Sequence, residues 1–102
     1  MRTATLERPH PAFPSGTQRI YRFENGYGAS VVRFSEDHGM GAVPASSYGG
    51  DEGLWELAVL RFAGDGIDRF RLVYDTPITD DVLGYLSEEE VDANLAKIEA
   101  LP

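Results

Sequence analysis

The chain has 102 residues, 42% of them hydrophobic and 25% charged, a composition that predicts one soluble globular domain, too apolar for disorder and too short for two cores. The absence of cysteine excludes disulfides, thiolate metal sites and cysteine nucleophiles. No apolar run approaches the roughly 18 residues of a membrane span, and none resembles a secretory leader, so a cytoplasmic, non-membrane protein is expected. A domain this small buries only about 60 to 65% of its unfolded surface, which makes homo-oligomerisation a natural supplement.

The net charge of −8 is unevenly spread. Residues 1–74 carry nine acids against eight arginines, whereas residues 75–102 carry eight acids against Lys97 alone. Binding to phosphate backbones needs clustered cations, so the total argues against nucleic acid as the main partner. An acidic C-terminal third instead suits a basic protein surface, or simply keeps the domain in solution.

Residues 1–18 include Pro9, Pro11 and Pro14, show no period, and read as a flexible arm. The domain then begins at residue 19. Arg19 to Phe23 and Gly28 to Phe34 flank Asn25-Gly26, the preferred pair for a two-residue type I′ turn. That hairpin sets Phe23 opposite Gly28 and Tyr21 opposite Ser30, collecting Tyr21, Phe23, Val32 and Phe34 on a core face and Ile20, Arg22, Val31 and Arg33 on the other. Residues 35–53 hold five glycines and read as a long loop, a length that is usually functional or disordered. Leu54 to Phe62 is apolar on both sides and suits a central strand covered on both faces. After a turn at 63–68, Arg69 to Tyr74 alternates, with Phe70, Leu72 and Tyr74 inward and Arg69 and Arg71 outward.

Residues 78–86 are ambiguous, with a short helical turn beginning at Thr79 and ended by Gly84 as one possibility. Ser87-Glu88-Glu89-Glu90 is a capping box, and Leu86 with Val91 form a hydrophobic staple around it. Val91, Leu95 and Ile98 give the helical stripe, so a helix over 88–100 is expected. The predicted fold is α+β: a four-stranded antiparallel meander sheet with one C-terminal helix packed on one face.

Chemistry-bearing motifs are sparse. His10 and His38 have no metal-ligand spacing around them, and Asp65-Gly66-Ile67-Asp68 falls short of a calcium loop. Ser46 or Ser47, His38 and Asp75 lack a nucleophile elbow. No cofactor, metal or catalytic residue is expected, and the chain reads as a non-enzyme. The loop around Tyr48, Gly49 and Gly50 shares only its glycines with a phosphate cradle, and its simpler reading is a backbone device for entering the next strand. Arg22, Arg33, Arg69 and Arg71 are expected on the sheet face away from the helix, either as an anion site or as a salt-bridged solvated face. Trp55 and Leu57 share that half by parity, so an apolar patch rimmed by arginines is expected there as a self-association or partner surface.

Three segments together, Asn25 to Val32, Tyr48 to Leu60, and Tyr74 to Leu86 running into the capped helix, resemble a group of small accessory proteins encoded by tailed phages and prophages of actinobacteria. The resemblance covers about residues 19–102, departs in added loop length at 36–45, and brings no catalytic residues with it. It implies a phage protein acting inside the host cell. Taken with the charge distribution and the parity of Trp55, it gives the expectation of a non-enzymatic protein that binds and inhibits or redirects a host or anti-phage defence protein by occupying a basic surface, through Asp75, Asp80, Asp81, Glu88, Glu89 and Trp55. The alternative is an oligomeric sponge that sequesters a nucleotide immune signal with Arg22, Arg33, Arg69, Arg71, Tyr48, Gly49 and Gly50.

Overall fold

The computed structural model describes residues 2–36, 45–64, 66–67, 69–79 and 82–102. The strands are β1 (Leu6–Pro9), β2 (Thr17–Arg22), β3 (Tyr27–Arg33), β4 (Ser35–Glu36), β5 (Ala45–Ser46), β6 (Trp55–Phe62), β7 (Phe70–Leu72) and β8 (Leu83–Leu86), and helix α1 (Glu88–Glu99) follows. The main sheet is antiparallel and six-stranded, in the order β1-β2-β3-β6-β7, with β8 pairing β6; β4 and β5 form a separate ladder. The fold is thus α+β with a C-terminal helix on an antiparallel sheet. The meander β2-β3-β6-β7 is as expected, but four strands is too few.

The stretch 35–53, expected as a loop, carries the short β4–β5 ladder, with Ser35 opposite Ser46 and Glu36 opposite Ala45, and the main-sheet strands beyond the expected four lie at the two ends of the meander. Within residues 1–18, Leu6 pairs with Ile20 and Pro9 with Thr17, so this segment is not simply an arm. Proline ends an edge strand, where the missing N–H breaks no ladder bond. Residues 10–16 are pinned as well: the Phe13 and Phe34 rings stack at 4.2 Å, and His10 Nδ1 accepts from the Ala12 and Phe13 N–H groups at 3.1 and 3.2 Å. At the other end, residues 83–86 form β8 rather than continuing a helical turn, with Leu86 opposite Trp55 and Leu83 opposite Leu57. Two residues, Gly84 and Tyr85, there oppose Glu56 alone, which makes a β-bulge. Tyr85 takes φ +57° at it.

The hairpin differs from expectation by one residue. Phe23 N–H donates to Tyr27 O at 2.9 Å and Gly26 N–H to Phe23 O at 3.1 Å, so the loop has three residues, with Gly26 at φ +85°. This is a type I turn closed by a left-handed glycine, not a type I′ turn. Tyr21 therefore opposes Ala29, and Arg19 opposes Val31. Every side chain of β3 changes face relative to the two-residue turn, and Val31 and Ala29, not Val32 and Ser30, pack under the helix. Gly28 makes room for Phe62 rather than Phe23: a Cβ on it would lie 2.6 Å from the Phe62 ring and 1.9 Å from Tyr21 O.

Two apolar layers result. On the helix side Tyr21, Ala29, Val31, Trp55, Leu57 and Val59 meet Val91, Leu95 and Ile98 of α1. Val73 joins them, whereas Leu72 and Tyr74, expected inward, are exposed. The capping box forms, with Glu90 N–H donating to Ser87 Oγ at 3.2 Å and Ser87 N–H to Glu90 Oε1 at 3.1 Å. On the opposite face Ile20, Leu60 and Phe62 are covered by Leu6, Ile67 and Phe70. The central strand is covered on both sides, as expected, but by the chain itself. Because Leu95 and Leu60 are 1% and 0% exposed, L95A and L60A should each cost about 2 to 5 kcal/mol. Chemical denaturation reads this, and wild-type midpoints for both would contradict the two-layer packing.

Candidate functional site

The acidic C-terminal third is partly neutralised within the molecule. Arg19 Nη1 donates to both oxygens of Glu88, at 3.2 and 3.0 Å, while its Nε donates to Glu7 at 2.7 Å. Arg2 reaches Glu99 at 2.7 Å and its backbone N–H reaches Asp92 at 3.0 Å. Glu88, expected on a partner surface, is thus committed to Arg19. Asp75 and Glu89 are exposed and make no ion pair with a described residue. Asp80 and Asp81 lie outside the described residues.

Between these groups and α1 lies a concavity of about 410 Å³ lined by Arg2, Glu7, Arg19, Tyr21, Glu88 and Asp92 among others. Its charges are already paired, so it offers a ligand no free cation or acid beyond those pairs. Burial alone would lower the pKa of Arg19, but the hydrogen bonds it donates to Glu88 and Glu7 outweigh it and hold the guanidinium above its usual value. Burial raises the Tyr21 phenol, and the neighbouring Arg19 charge opposes that only in part.

Trp55 is not on a docking surface. It is 1% exposed, and the guanidinium carbons of Arg19 and Arg33 lie 4.2 Å from its ring centroid. Arg33 Nη1 also donates to Gly53 O at 3.3 Å. Its partner Leu57 is fully buried as well. The expected apolar patch on the face away from the helix is therefore inside the core, because the hairpin register places β6 residues 55, 57 and 59 under α1. The homo-oligomer expected from that patch loses this basis.

The glycine loop is a corner. Gly50 to Glu52 make one turn of 3₁₀ helix between left-handed Gly49 and Gly53. Gly50 N–H donates to Ser47 O, Glu52 N–H to Gly49 O and Leu54 N–H to Gly49 O, and Tyr48 N–H donates to Glu56 Oε1 at 3.0 Å. A phosphate cradle needs amides turned outward, and these are used within the chain. A Cβ on Gly49 would lie 2.8 Å from Tyr85 Cα, so the glycine serves close approach to β8. The backbone reading of this loop is the one that fits.

The arginines divide by use. Arg22 donates to Gly64 O and, at 3.4 Å, to Gly66 O, tying β2 to the β6–β7 loop with its guanidinium 4.9 Å from the Phe62 ring. Arg33 is held at Trp55. Arg69 and Arg71 are exposed and make no ion pair or side-chain hydrogen bond with a described residue. The register adds a residue the sequence reading passed over, Arg61, which stands directly opposite Arg71 with its guanidinium 4.6 Å from the Tyr27 ring. Arg61, Phe62, Ala63, Arg69, Phe70 and Arg71 line an open concavity of about 440 Å³. Its signal in the sequence was a single arginine near the end of a strand that is otherwise apolar except for Glu56.

Among the described residues no cluster of three or more His, Cys, Asp or Glu could hold a metal ion, and no helix is long and apolar enough to cross a membrane. No family model, curated protein or solved structure matches the chain.

Two measurements test this geometry. A phenol whose folded-state pKa lies above its unfolded value of about 10 contributes stability that is complete below pH 10 and lost as the pH rises through the folded value. Stability should therefore decline above pH 10, with Y21F reducing that decline in denaturation curves across pH 9 to 12. The chain has one tryptophan, so its fluorescence reads the arginine contacts directly. Acrylamide should quench wild type little and R33A, which removes one of the two guanidinium groups over the ring, markedly; equal quenching in the two would contradict the stacking.

Proposed function

We propose that this chain is a small non-enzymatic binding protein, of phage accessory type, that docks on a basic surface of a host or anti-phage defence protein. The observation that carries the reading is the distribution of unsatisfied acid. Net charge is concentrated in residues 75–102, and of the acids there Asp75 and Glu89 are exposed and without a described cationic partner, while Glu88, Asp92 and Glu99 face arginines. Such a surface speeds encounter with a cationic partner more than it adds contact energy. The docking set is accordingly Asp75 and Glu89 together with Asp80 and Asp81 from the intervening sequence, without Trp55 and without Glu88.

The experiment is capture from host lysate by tagged protein, compared with a D75N/D80N/D81N/E89Q variant. The wild type should retain one specific protein whose association rate falls steeply with salt, about tenfold or more between low and physiological ionic strength. The variant should melt like wild type and lose both the partner and the salt dependence. Capture that survives the four substitutions would refute the acidic surface as the docking element.

A further inference from the structure

From the β6–β7 hairpin we infer that Arg61, Arg69 and Arg71 form a binding site for the phosphate group of a small phosphorylated ligand, built from residues other than those of the acidic docking set. Strand pairing sets Arg61 directly opposite Arg71. Like charges in that position repel, and a sheet normally relieves them with an opposing side chain. No carboxylate of a described residue lines this concavity.

The rest of the molecule shows that this arrangement is not a general feature of its arginines. With 17 acids and nine basic residues, carboxylates are in surplus. Arg2 and Arg19 take them, and Arg22 and Arg33 take backbone carbonyls. Arg69 and Arg71 take neither. Arg69 is one residue before β7, two before Arg71, and its carbonyl accepts the Ala63 N–H at 2.8 Å. That bond closes the hairpin end and holds the two arginines at one rim.

The chemistry selects the ligand. Planar guanidinium forks match the oxygens of phosphate in pairs, and three of them offset the charge of a phosphomonoester or a diphosphate. Arg61 is braced over the Tyr27 ring, which restricts its fork before a ligand arrives and reduces the ordering cost. Phe62 and Phe70, on the next rung, turn their rings to the opposite face of the sheet, so the arginine side recognises the phosphate and not an apolar group. A volume of about 440 Å³ falls in the range of small-molecule sites. The overall charge of −8 repels a long polyanion and favours a small one.

Isothermal titration of the full chain with inorganic phosphate, inorganic pyrophosphate and ADP tests the site. Pyrophosphate should bind, and R69A/R71A should weaken it by about a hundredfold, roughly tenfold for each charged hydrogen-bonding group lost. R69K/R71K, which keeps the charge and loses the forks, should fall between. All three arginines are exposed, so the variants should melt like wild type, and capture of a protein partner through the acidic surface should be unchanged by them. ADP and pyrophosphate should bind with similar affinity, because the Phe62 and Phe70 rings lie on the other face of the sheet; ADP bound far more tightly would contradict recognition by the arginines alone. Asp65 and Asp68, in the same loop, supply the control: D65N/D68N should bind pyrophosphate at least as well as wild type. No binding of any of the three anions at millimolar concentration would overturn the inference. So would binding indifferent to the arginines, or a single-stranded oligonucleotide bound more tightly than ADP.

Discussion

The structure depends on the count of residues between Phe23 and Tyr27. With three residues in that loop and Gly26 left-handed, Tyr21, Ala29 and Val59 lie in one row and Arg19, Val31 and Leu57 in the next. These rows form the floor on which α1 packs. A two-residue loop would have turned Val31 away and brought Ser30 inward, exchanging a fully buried apolar side chain for a hydroxyl. The same turn then receives the helix. Asn25 Nδ2 donates to the carbonyls of Ile98, Glu99 and Leu101 at 2.9 to 3.2 Å, and its Oδ1 accepts the Tyr27 N–H at 3.0 Å. A helix end leaves its last carbonyls without partners, and here a side chain from the first hairpin supplies them. Asn25 thus serves the turn and the C-terminal cap at once.

The register also decides how the charges are wired. Because Arg19 and Trp55 both fall on the helix side, the guanidinium can lie on the indole and still reach Glu88 at the start of α1 and Glu7 in β1. One arginine therefore links the edge strand, the core and the helix N-terminus. Arg2 makes the corresponding link to the later turns of the helix through Asp92 and Glu99. The partly exposed pairs contribute little each. Their effect is to hold residues 2–9 in place, and with them Leu6, which helps to cover Ile20 and Leu60 on the far face. The second apolar layer is closed by the chain's own first residues and by the β6–β7 loop.

What was legible in the sequence was whatever a local pattern determines. The capping box and the Val91, Leu95, Ile98 stripe depend on neighbours within two turns, and both formed at the expected positions. The two-sided apolar run of Leu54 to Phe62 likewise became the central strand. The hairpin was recognisable but its register was not, since Asn-Gly serves a type I′ turn and also a type I turn with a terminal left-handed glycine. Val31 and Val32 made either face look apolar. Strands β1 and β8 were hidden for another reason: each is four residues long and is stabilised by its partner, so propensity carries little of its signal. Proline in one and the bulge at Gly84 and Tyr85 in the other removed even the alternation.

The candidate sites inherit these outcomes unequally. A surface acid such as Glu89 is placed by helix periodicity alone, and the sequence located it. The arginines could be grouped only once the pairing was known, because which of them share a face follows from register. Arg22 and Arg33 had parity in common with Arg69 and Arg71 on paper, yet each was drawn into the fold by a carbonyl or an aromatic ring. Arg61 entered the group through a ladder contact with Arg71 that no spacing rule in the sequence reports. An arginine adds to a binding surface only when the fold has not already used its donors, and in an acidic chain those donors are used readily. That Arg69 and Arg71 keep theirs, on a hairpin whose opposite rung is a third arginine, is what separates this concavity from the larger set of cations the sequence offered.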